Sequence, residues 1–345
     1  MSIIKKINQS YKVQKLIRSV KKRIQKTQDR IDAKTIKEEL PRFDELSFKK
    51  KVESLDNGTF KNKLLSFLED GYLVVEQSVS AAVVDNAVTA FYNWKKRNAS
   101  KMLPEFYKYN DHLDRVMAIH SAIPECKALF AENTSLPYQD FLFEQETVML
   151  TSLFFEVGSE QDIHRDEPLF WTQPAHYYFG TWLALEDTDA NNGPLIVIPG
   201  SHKINPNLIN KLKIANQKYD DLKKIDPADS FLWENYQKEI QNLCEANGLY
   251  KKEVHVKKGD TIIWHPLLAH GGAAVKDQQR TRLSFVMHTI PYEVPVFGIN
   301  IFFNPAEKVR TKARLQYETL NNRKMVYHNY LRISGRTDFD FSKFK

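Results

Sequence analysis

His164 and Asp166 stand two residues apart in Ile163-His164-Arg165-Asp166, and His270 lies much further on, in His265-Pro266-Leu267-Leu268-Ala269-His270-Gly271-Gly272. In an extended chain residues i and i+2 point to the same side, so an imidazole and a carboxylate project together. His270 follows a second strand-like run, Thr261-Ile262-Ile263-Trp264. Two imidazoles and one carboxylate on one face leave the opposite side of a metal open. That is the facial donor set of non-haem Fe(II) oxygenases, which need free positions for a co-substrate and O2. A His-x-Asp dyad alone is a weak signal, because it recurs by chance in many chains.

The order of the neighbouring segments adds more. The dyad is followed by Gly180-Thr181-Trp182-Leu183-Ala184-Leu185-Glu186-Asp187, then by Asn192-Gly193-Pro194-Leu195-Ile196-Val197-Ile198-Pro199-Gly200-Ser201-His202. Lys258-Gly259-Asp260-Thr261, the His270 segment and Arg280-Thr281-Arg282-Leu283-Ser284-Phe285 come next. In this succession, from about Leu64 to Pro291, the chain resembles the phytanoyl-CoA dioxygenase family of Fe(II)/2-oxoglutarate-dependent oxygenases. The resemblance implies that His164, Asp166 and His270 ligate Fe(II), and that 2-oxoglutarate and O2 are co-substrates. It implies succinate and CO2 as products and attack on an unactivated C–H bond of a small molecule. Related halogenating enzymes lack the carboxylate, so Asp166 favours hydroxylation. It also implies an arginine after the distal histidine for the far carboxylate of 2-oxoglutarate, where a planar guanidinium offers two parallel hydrogen bonds. Arg280 and Arg282 are both eligible. Arg282 is preferred because Ser284, at i+2, shares its face, so that its hydroxyl can help hold the same carboxylate, and Arg280 then reads as a surface residue at the turn. Thr151 and Trp182 are further co-substrate candidates by the same resemblance. Trp182 and the pair Ser201-His202 are equally explained by core and turn roles.

Other histidines read as bystanders. His112 and His120 have no partner motif, and His265 precedes a proline. His288 alternates with Ser284 and Val286 on an inner face, which leaves a site role and a core role both open. His176 lies in the aromatic stretch Glu167 to Tyr178, where an exposed loop histidine is the common case and a substrate contact the alternative. Arg165 points away from its two neighbours.

The elements that must position these groups follow from pattern. Thr147 to Val157, Phe179 to Glu186, Leu195 to Ile198, Val254 to Val256, Thr261 to Trp264 and Leu283 to Ile290 read as strands separated by Gly/Asn/Asp turns. The class is mainly β with flanking helices, an antiparallel barrel or jelly roll. The resemblance sharpens this to a double-stranded β-helix, a cupin-like barrel. Leu64 to Leu68 reads as a helix that Gly71 ends, Tyr72 to Val75 as a strand, and Ala81 to Trp94 as a helix capped by Ser78 or Ser80. Glu167 to Tyr178 is too long for a plain connection and reads as a lid or substrate wall. The expected organisation is a basic helical arm and connector over 1–58, the oxygenase barrel over 59–303 with a helical insertion at 204–250, and a C-terminal helical tail over 304–345. Val296 to Phe303 is a possible extra strand.

Charge separates the arm from the body. Residues 1–34 carry eleven Lys and Arg against Asp29 and Asp32, a charge of +9, so the other 311 residues hold about −2 of the total +7. Nucleic-acid binding by the whole chain is therefore not expected. The arm's apolar residues recur at steps of three or four, which allows an amphipathic helix that either packs on protein or touches an anionic membrane surface. Cys126 and Cys244 form no ligand or disulfide framework, and no run is long enough to span a bilayer. A cytoplasmic protein acting on a small molecule is expected, with no oligomeric state indicated. A rival reading, a non-catalytic barrel, predicts that one of the ligands or the arginine is degenerate, and none is.

Overall fold

In the computed structural model, residues 42–204, 206, 208–304, 315–334 and 338–340 are described. The basic arm falls outside them, and with it the questions of its helix and of membrane contact. The described residues fall in one compact unit.

Helices come first. Leu46–Glu53 (α1) and Thr59–Asp70 (α2) precede strand Tyr72–Val75 (β1), and Ala81–Arg97 (α3) follows it. Gly71 ends α2 at φ 85°, a left-handed conformation that glycine takes without a Cβ penalty, and its N–H bonds the Phe67 carbonyl. The Ser80 hydroxyl accepts from the Val83 amide at the start of α3. On α3 the buried residues Val84, Ala87, Phe91 and Trp94 recur at helical spacing, and Phe91 stacks on Phe154 with ring centroids 3.8 Å apart. Glu125–Ala131 (α4) and Leu136–Phe143 (α5) complete this outer layer.

The large sheet is built from β1, Arg115–Met117 (β2), Thr147–Phe155 (β3), Phe179–Ala184 (β4), Thr261–Trp264 (β7) and Ser284–Pro291 (β9). Its antiparallel order runs β1-β7-β4-β9-β3-β2. Leu195–Val197 (β5), Lys252–Val254 (β6) and His270–Gly272 (β8) form a second sheet in the order β8-β5-β6. Trp182, Ile262, Trp264 and Val286 of the first sheet share one buried cluster with Leu195, Val197 and Val254 of the second. This is a two-sheet, mainly antiparallel jelly roll with helices outside. The central strands of the large sheet are buried on both faces: Leu153 and Phe155 of β3 look inward, while Phe154 packs with Phe91 on the helical side.

Gly180 on β4 faces Trp264 on β7, and an added Cβ would lie 2.0 Å from the indole ring. That ring stands 4.6 Å from the His270 ring and is rigid, so it cannot yield cheaply. Gly180→Ala is expected to lower stability by about 1–3 kcal/mol, the usual cost of overpacking a core. Urea unfolding would measure this, and an unchanged midpoint would exclude the close approach.

Three sequence expectations need correction. The C-terminal segment is not helical among its described residues. Tyr317–Leu320 (β10) and Arg323–Val326 (β11) form a hairpin, and Tyr330–Ile333 (β12) and Asp338–Asp340 (β13) extend the large sheet beyond β2. The deciding signal is Asn321-Asn322, both at positive φ, which makes a two-residue hairpin turn. Met325 then buries against β3, in register with Met149, and the carbonyl of Val326 faces the fully buried His120. Val296–Phe297 is a short strand, as expected, but Ile299–Phe302 turns helical. The connector also belongs to the body: Phe43 is buried against Phe67 and Phe179, and Asp44 pairs with His265 at 3.0 Å.

Insertion residues Leu208–Ala215 (α6) and Ser230–Ala246 (α7) are helical. Among the described residues no helix is long and apolar enough to cross a membrane.

Candidate metal centre and cavity

His164 lies outside the named strands but in extended backbone that bridges β8. Its N–H donates to the His270 carbonyl at 2.8 Å and the His270 N–H returns the bond at 2.9 Å. The i, i+2 rule therefore holds, and Asp166 turns to the same side. Its two oxygens each stand 3.4 Å from an imidazole, Oδ1 from His164 Nε2 and Oδ2 from His270 Nε2. One donor atom from each residue lies within 4.8 Å of the others.

The proton positions suit a metal. His164 Nδ1 donates to the Asp162 carbonyl at 2.7 Å and His270 Nδ1 to the Leu268 carbonyl at 3.0 Å. A carbonyl can only accept, so Nδ1 carries a proton in each ring and Nε2 is the nitrogen left to bind a metal. Burial opposes ionisation of Asp166, but with no metal bound the charge of His270 and the Nε2–H groups of His164 and His270 outweigh it and hold the carboxyl well below the usual range. The donor set is two neutral nitrogens and one anionic oxygen without thiolate, and it fits a divalent iron with open positions.

The insertion holds this loop in place. Gln237 on α7 accepts from the Arg165 amide at 2.8 Å and donates to the Arg165 carbonyl at 2.9 Å, and Gln241 donates to the Ile163 carbonyl at 2.7 Å. Arg165, 1% exposed, points away from the ligands as expected and donates to the Ser201 carbonyl at 2.6 Å. Nothing in the insertion's sequence marks these two glutamines.

A buried polar cluster lies behind the loop. Glu167 is fully buried. It accepts from the Tyr236 hydroxyl at 2.6 Å, with His176 Nδ1 at 3.1 Å and Lys211 Nζ at 3.8 Å from its other oxygen. Burial works against its charge, but Lys211 and His176 prevail and bring the carboxyl down to about 2. His176 is thus neither exposed nor a substrate contact: it is 1% exposed and outside the cavity lining. Glu167→Ala is expected to cost about 3–5 kcal/mol, as in other broken buried ion pairs. Equilibrium denaturation would test this, and a loss below about 1 kcal/mol would mean that the cluster is not holding the insertion on the loop.

The triad opens on a cavity of about 590 Å³, within the usual range for small-molecule sites. Arg282 lines it and is 4% exposed. Its Nη1 donates to Ser284 Oγ at 2.7 Å, and the guanidinium lies 5.4 Å from the Trp182 ring, which also lines the cavity. Arg282 Nε has no hydrogen-bond partner. Burial lowers its pKa to about 10, so it stays charged at neutral pH. A buried cation of this kind is costly unless an anion joins it. Arg280, by contrast, pairs with Asp189 at 2.9 Å near the surface. Thr151 is opposite His288 on β9, on the face of Leu153 and Phe155, but it does not line the cavity; its buried hydroxyl has no partner. His288 does line it, stacks on Phe170 at 3.9 Å, and is pushed down to about 4 by burial. Ser201 accepts from the Ala269 amide at 2.9 Å, which is a turn role. Reading the sequence missed Trp233 of α7, whose ring is 5.9 Å from that of His164, and Arg115 and Arg332 in the cavity wall.

The family profile described as phytanoyl-CoA dioxygenase (PhyH) matches residues 67–283, more than half of the chain. The chain belongs to that family. Within the phytanoyl-CoA dioxygenase family it is 30% identical over 122 residues to the peroxisomal phytanoyl-CoA dioxygenase of Mus musculus, covering 35% of this chain and 30% of that protein. It is 34% identical over 90 residues to phytanoyl-CoA dioxygenase 1 of Oryza sativa subsp. japonica, covering 25% of this chain and 32% of that one. The chain thus spans about a third of the length of these curated relatives. Among solved structures it is similar to the non-heme alpha ketoglutarate dependent carbocyclase SnoK from nogalamycin biosynthesis, with a TM-score of 0.52, 15% identity and coverage of 77% of this chain and 96% of that one. It is also similar to EctD from S. alaskensis with 2-oxoglutarate and 5-hydroxyectoine, with a TM-score of 0.50, 17% identity and coverage of 76% and 86%. At these identities the likeness bears on the fold: both neighbours share the jelly-roll frame of this family member.

Proposed function

We propose that this chain is an Fe(II)/2-oxoglutarate-dependent dioxygenase that hydroxylates an unactivated C–H bond of a small molecule. One observation carries the reading. A triad whose imidazoles are locked with Nε2 facing inward shares its cavity with a buried arginine that has unused donor capacity. His164, Asp166 and His270 would hold the iron. When bound, iron with 2-oxoglutarate and O2 supplies the oxidising power, with succinate and CO2 as co-products.

The chain's own residues bind, orient and exclude water. Arg282 offers two parallel donors to the distal carboxylate of 2-oxoglutarate, and Ser284 Oγ, held at 2.7 Å, fixes the guanidinium for that contact. Trp182, Phe155, Trp264 and Trp233 wall the site and keep it dry, which strengthens each of these contacts. Membership of the phytanoyl-CoA dioxygenase family supports the same reading.

The test is an anaerobic titration with Fe(II) and then 2-oxoglutarate, followed through the visible charge-transfer band of the chelate. A band that saturates at one equivalent, followed by succinate release on admission of O2, is the expected result. A folded, iron-loaded protein with no band would overturn the proposal.

A further inference from the structure

We infer that His288 is a further co-substrate contact: its imidazole hydrogen-bonds the metal-side carboxylate of 2-oxoglutarate, and Thr151 orients the ring for that bond. This rests on the dioxygenase reading above and assigns the end of the co-substrate that Arg282 does not hold.

Strand register places His288 at the metal end of the cavity. Ser284, Val286 and His288 share one face of β9 at i, i+2 and i+4, and the last two line the cavity. Arg282 with its partner Ser284 stands at one end of this row. His288 stands at the other, roughly 13 Å along the strand at about 3.3 Å per residue. It is opposite Gly180 on β4, and Gly180 is opposite Trp264 on β7. The Trp264 indole lies against Gly180, with its ring 4.6 Å from that of His270. Phe170, four residues past Asp166, stacks on the His288 ring with centroids 3.9 Å apart. The segments that carry His270 and Asp166 therefore both reach His288, and its electrostatic neighbours are Asp166, His270 and His164 themselves.

The ring has unspent hydrogen-bonding capacity. Its Nδ1 is buried and without a partner, so the edge that carries Nε2 is the polar part left to face the cavity. Directly across the strand pair, the Thr151 hydroxyl is also buried and also without a partner. Two such groups side by side are costly to leave unmatched. A hydroxyl hydrogen turns to suit its acceptor, so Thr151 is the group able to donate to Nδ1 once a ligand fixes the ring. The imidazole, kept neutral by burial, then carries its one N–H on Nε2, on the side of the cavity.

The same account favours the co-substrate as the acceptor. Among the described residues that line the cavity, three have a buried nitrogen without a partner: Arg282 Nε, Trp264 Nε1 and His288 Nδ1. They follow one another along the inner face of the large sheet, from the arginine to the triad. An extended dicarboxylate has oxygens at both of its ends. With the far carboxylate on Arg282, the near one comes to the triad, beside His288. Thr151, which does not line the cavity, acts only through the imidazole.

The test titrates the Fe(II)-loaded full chain with 2-oxoglutarate without O2 and reads both the affinity and the maximum of the charge-transfer band. His288→Leu is expected to weaken 2-oxoglutarate by at least about tenfold, as loss of a hydrogen bond to a charged group does, and to displace the band maximum. Its Fe(II) affinity without 2-oxoglutarate is expected to stay within about twofold of the wild type. Arg282→Ala is the contrast: it loses affinity but keeps the maximum, because the contact removed is at the far carboxylate. His288→Gln, whose amide offers an N–H, recovers part of the affinity. Thr151→Val weakens 2-oxoglutarate by about two- to tenfold and moves the maximum in the same direction. It makes the comparison if thermal unfolding shows that the leucine variant does not fold. Wild-type affinity in folded His288→Leu, weaker binding with an unmoved maximum, or an equal loss of Fe(II) affinity overturns the inference and leaves His288 a core residue beneath Phe170. A wild-type band that His288→Leu does not alter rejects this inference alone, whereas absence of the band in the wild type rejects the dioxygenase reading beneath it.

Discussion

Asp166→Ala is expected to abolish the charge-transfer band and reduce Fe(II) affinity by more than about 100-fold. Substitutions that merely support a metal ligand from behind cost 10–100-fold, so removing the one anionic donor of three must exceed that. In the proposed site Asp166 is the donor that would neutralise part of the metal's charge, and its carboxyl is already held well below the ordinary range. Low pH therefore does not mimic the substitution in the near-neutral range. The loop itself should survive, since Arg165, Ile163 and Asp162 hold their backbone bonds to α7 and His164 independently of the carboxylate. Iron titration with circular dichroism as the folding control makes the measurement. Wild-type iron affinity in a folded Asp166→Ala protein would remove it from the ligand set.

Arg282→Ala is expected to weaken 2-oxoglutarate binding by roughly 30- to 3,000-fold. Truncating one side of a desolvated charge pair costs about 2–5 kcal/mol, and each 1.4 kcal/mol is a factor of ten. Arg282→Lys should fall between the two, because an ammonium keeps the charge but cannot form two parallel bonds. Stability gives an independent reading. The guanidinium is buried and its Nε is without a partner, so its loss should not lower the thermal midpoint as loss of a structural ion pair would. Titrating the charge-transfer band with 2-oxoglutarate in all three proteins decides the point. Affinities within about twofold of one another would assign the co-substrate to some other cation.

How much of this could be read from the chain depends on how local the determining contacts are. His164 with Asp166, and Arg282 with Ser284, are i, i+2 pairs in extended backbone. Alternation alone puts each pair on one side, and the structure has them there. The Gly71 turn, strand β1 and helix α3 were equally visible, because caps act within a few residues. The C-terminal segment reads as helical only from its scattered apolar residues, Leu315, Tyr317, Leu320, Met325, Tyr327 and Leu331, whose steps of 2, 3, 5, 2 and 4 follow no helical period. The Asn321-Asn322 turn is the local signal that decides for strands. His176 was misread for another reason. Its burial is set by Glu167, Tyr236 and Lys211, which come from three segments brought together only by folding. The Arg332 position was equally hidden, because it depends on β12 pairing with β2 more than 200 residues earlier.

The bond pattern of Gln237 and Gln241 has a consequence for how such a protein can change. These side chains grip the chain on both sides of His164, while one helical turn away Trp233 lines the cavity. The helix that would be altered to accept a different molecule is therefore the same one that holds the metal loop in shape. Grafting a foreign segment in place of residues 204–250 would exchange selectivity and loosen the catalytic scaffold in a single step. New selectivity is more accessible through the inward faces of β2 and β12, which line the cavity from the large sheet.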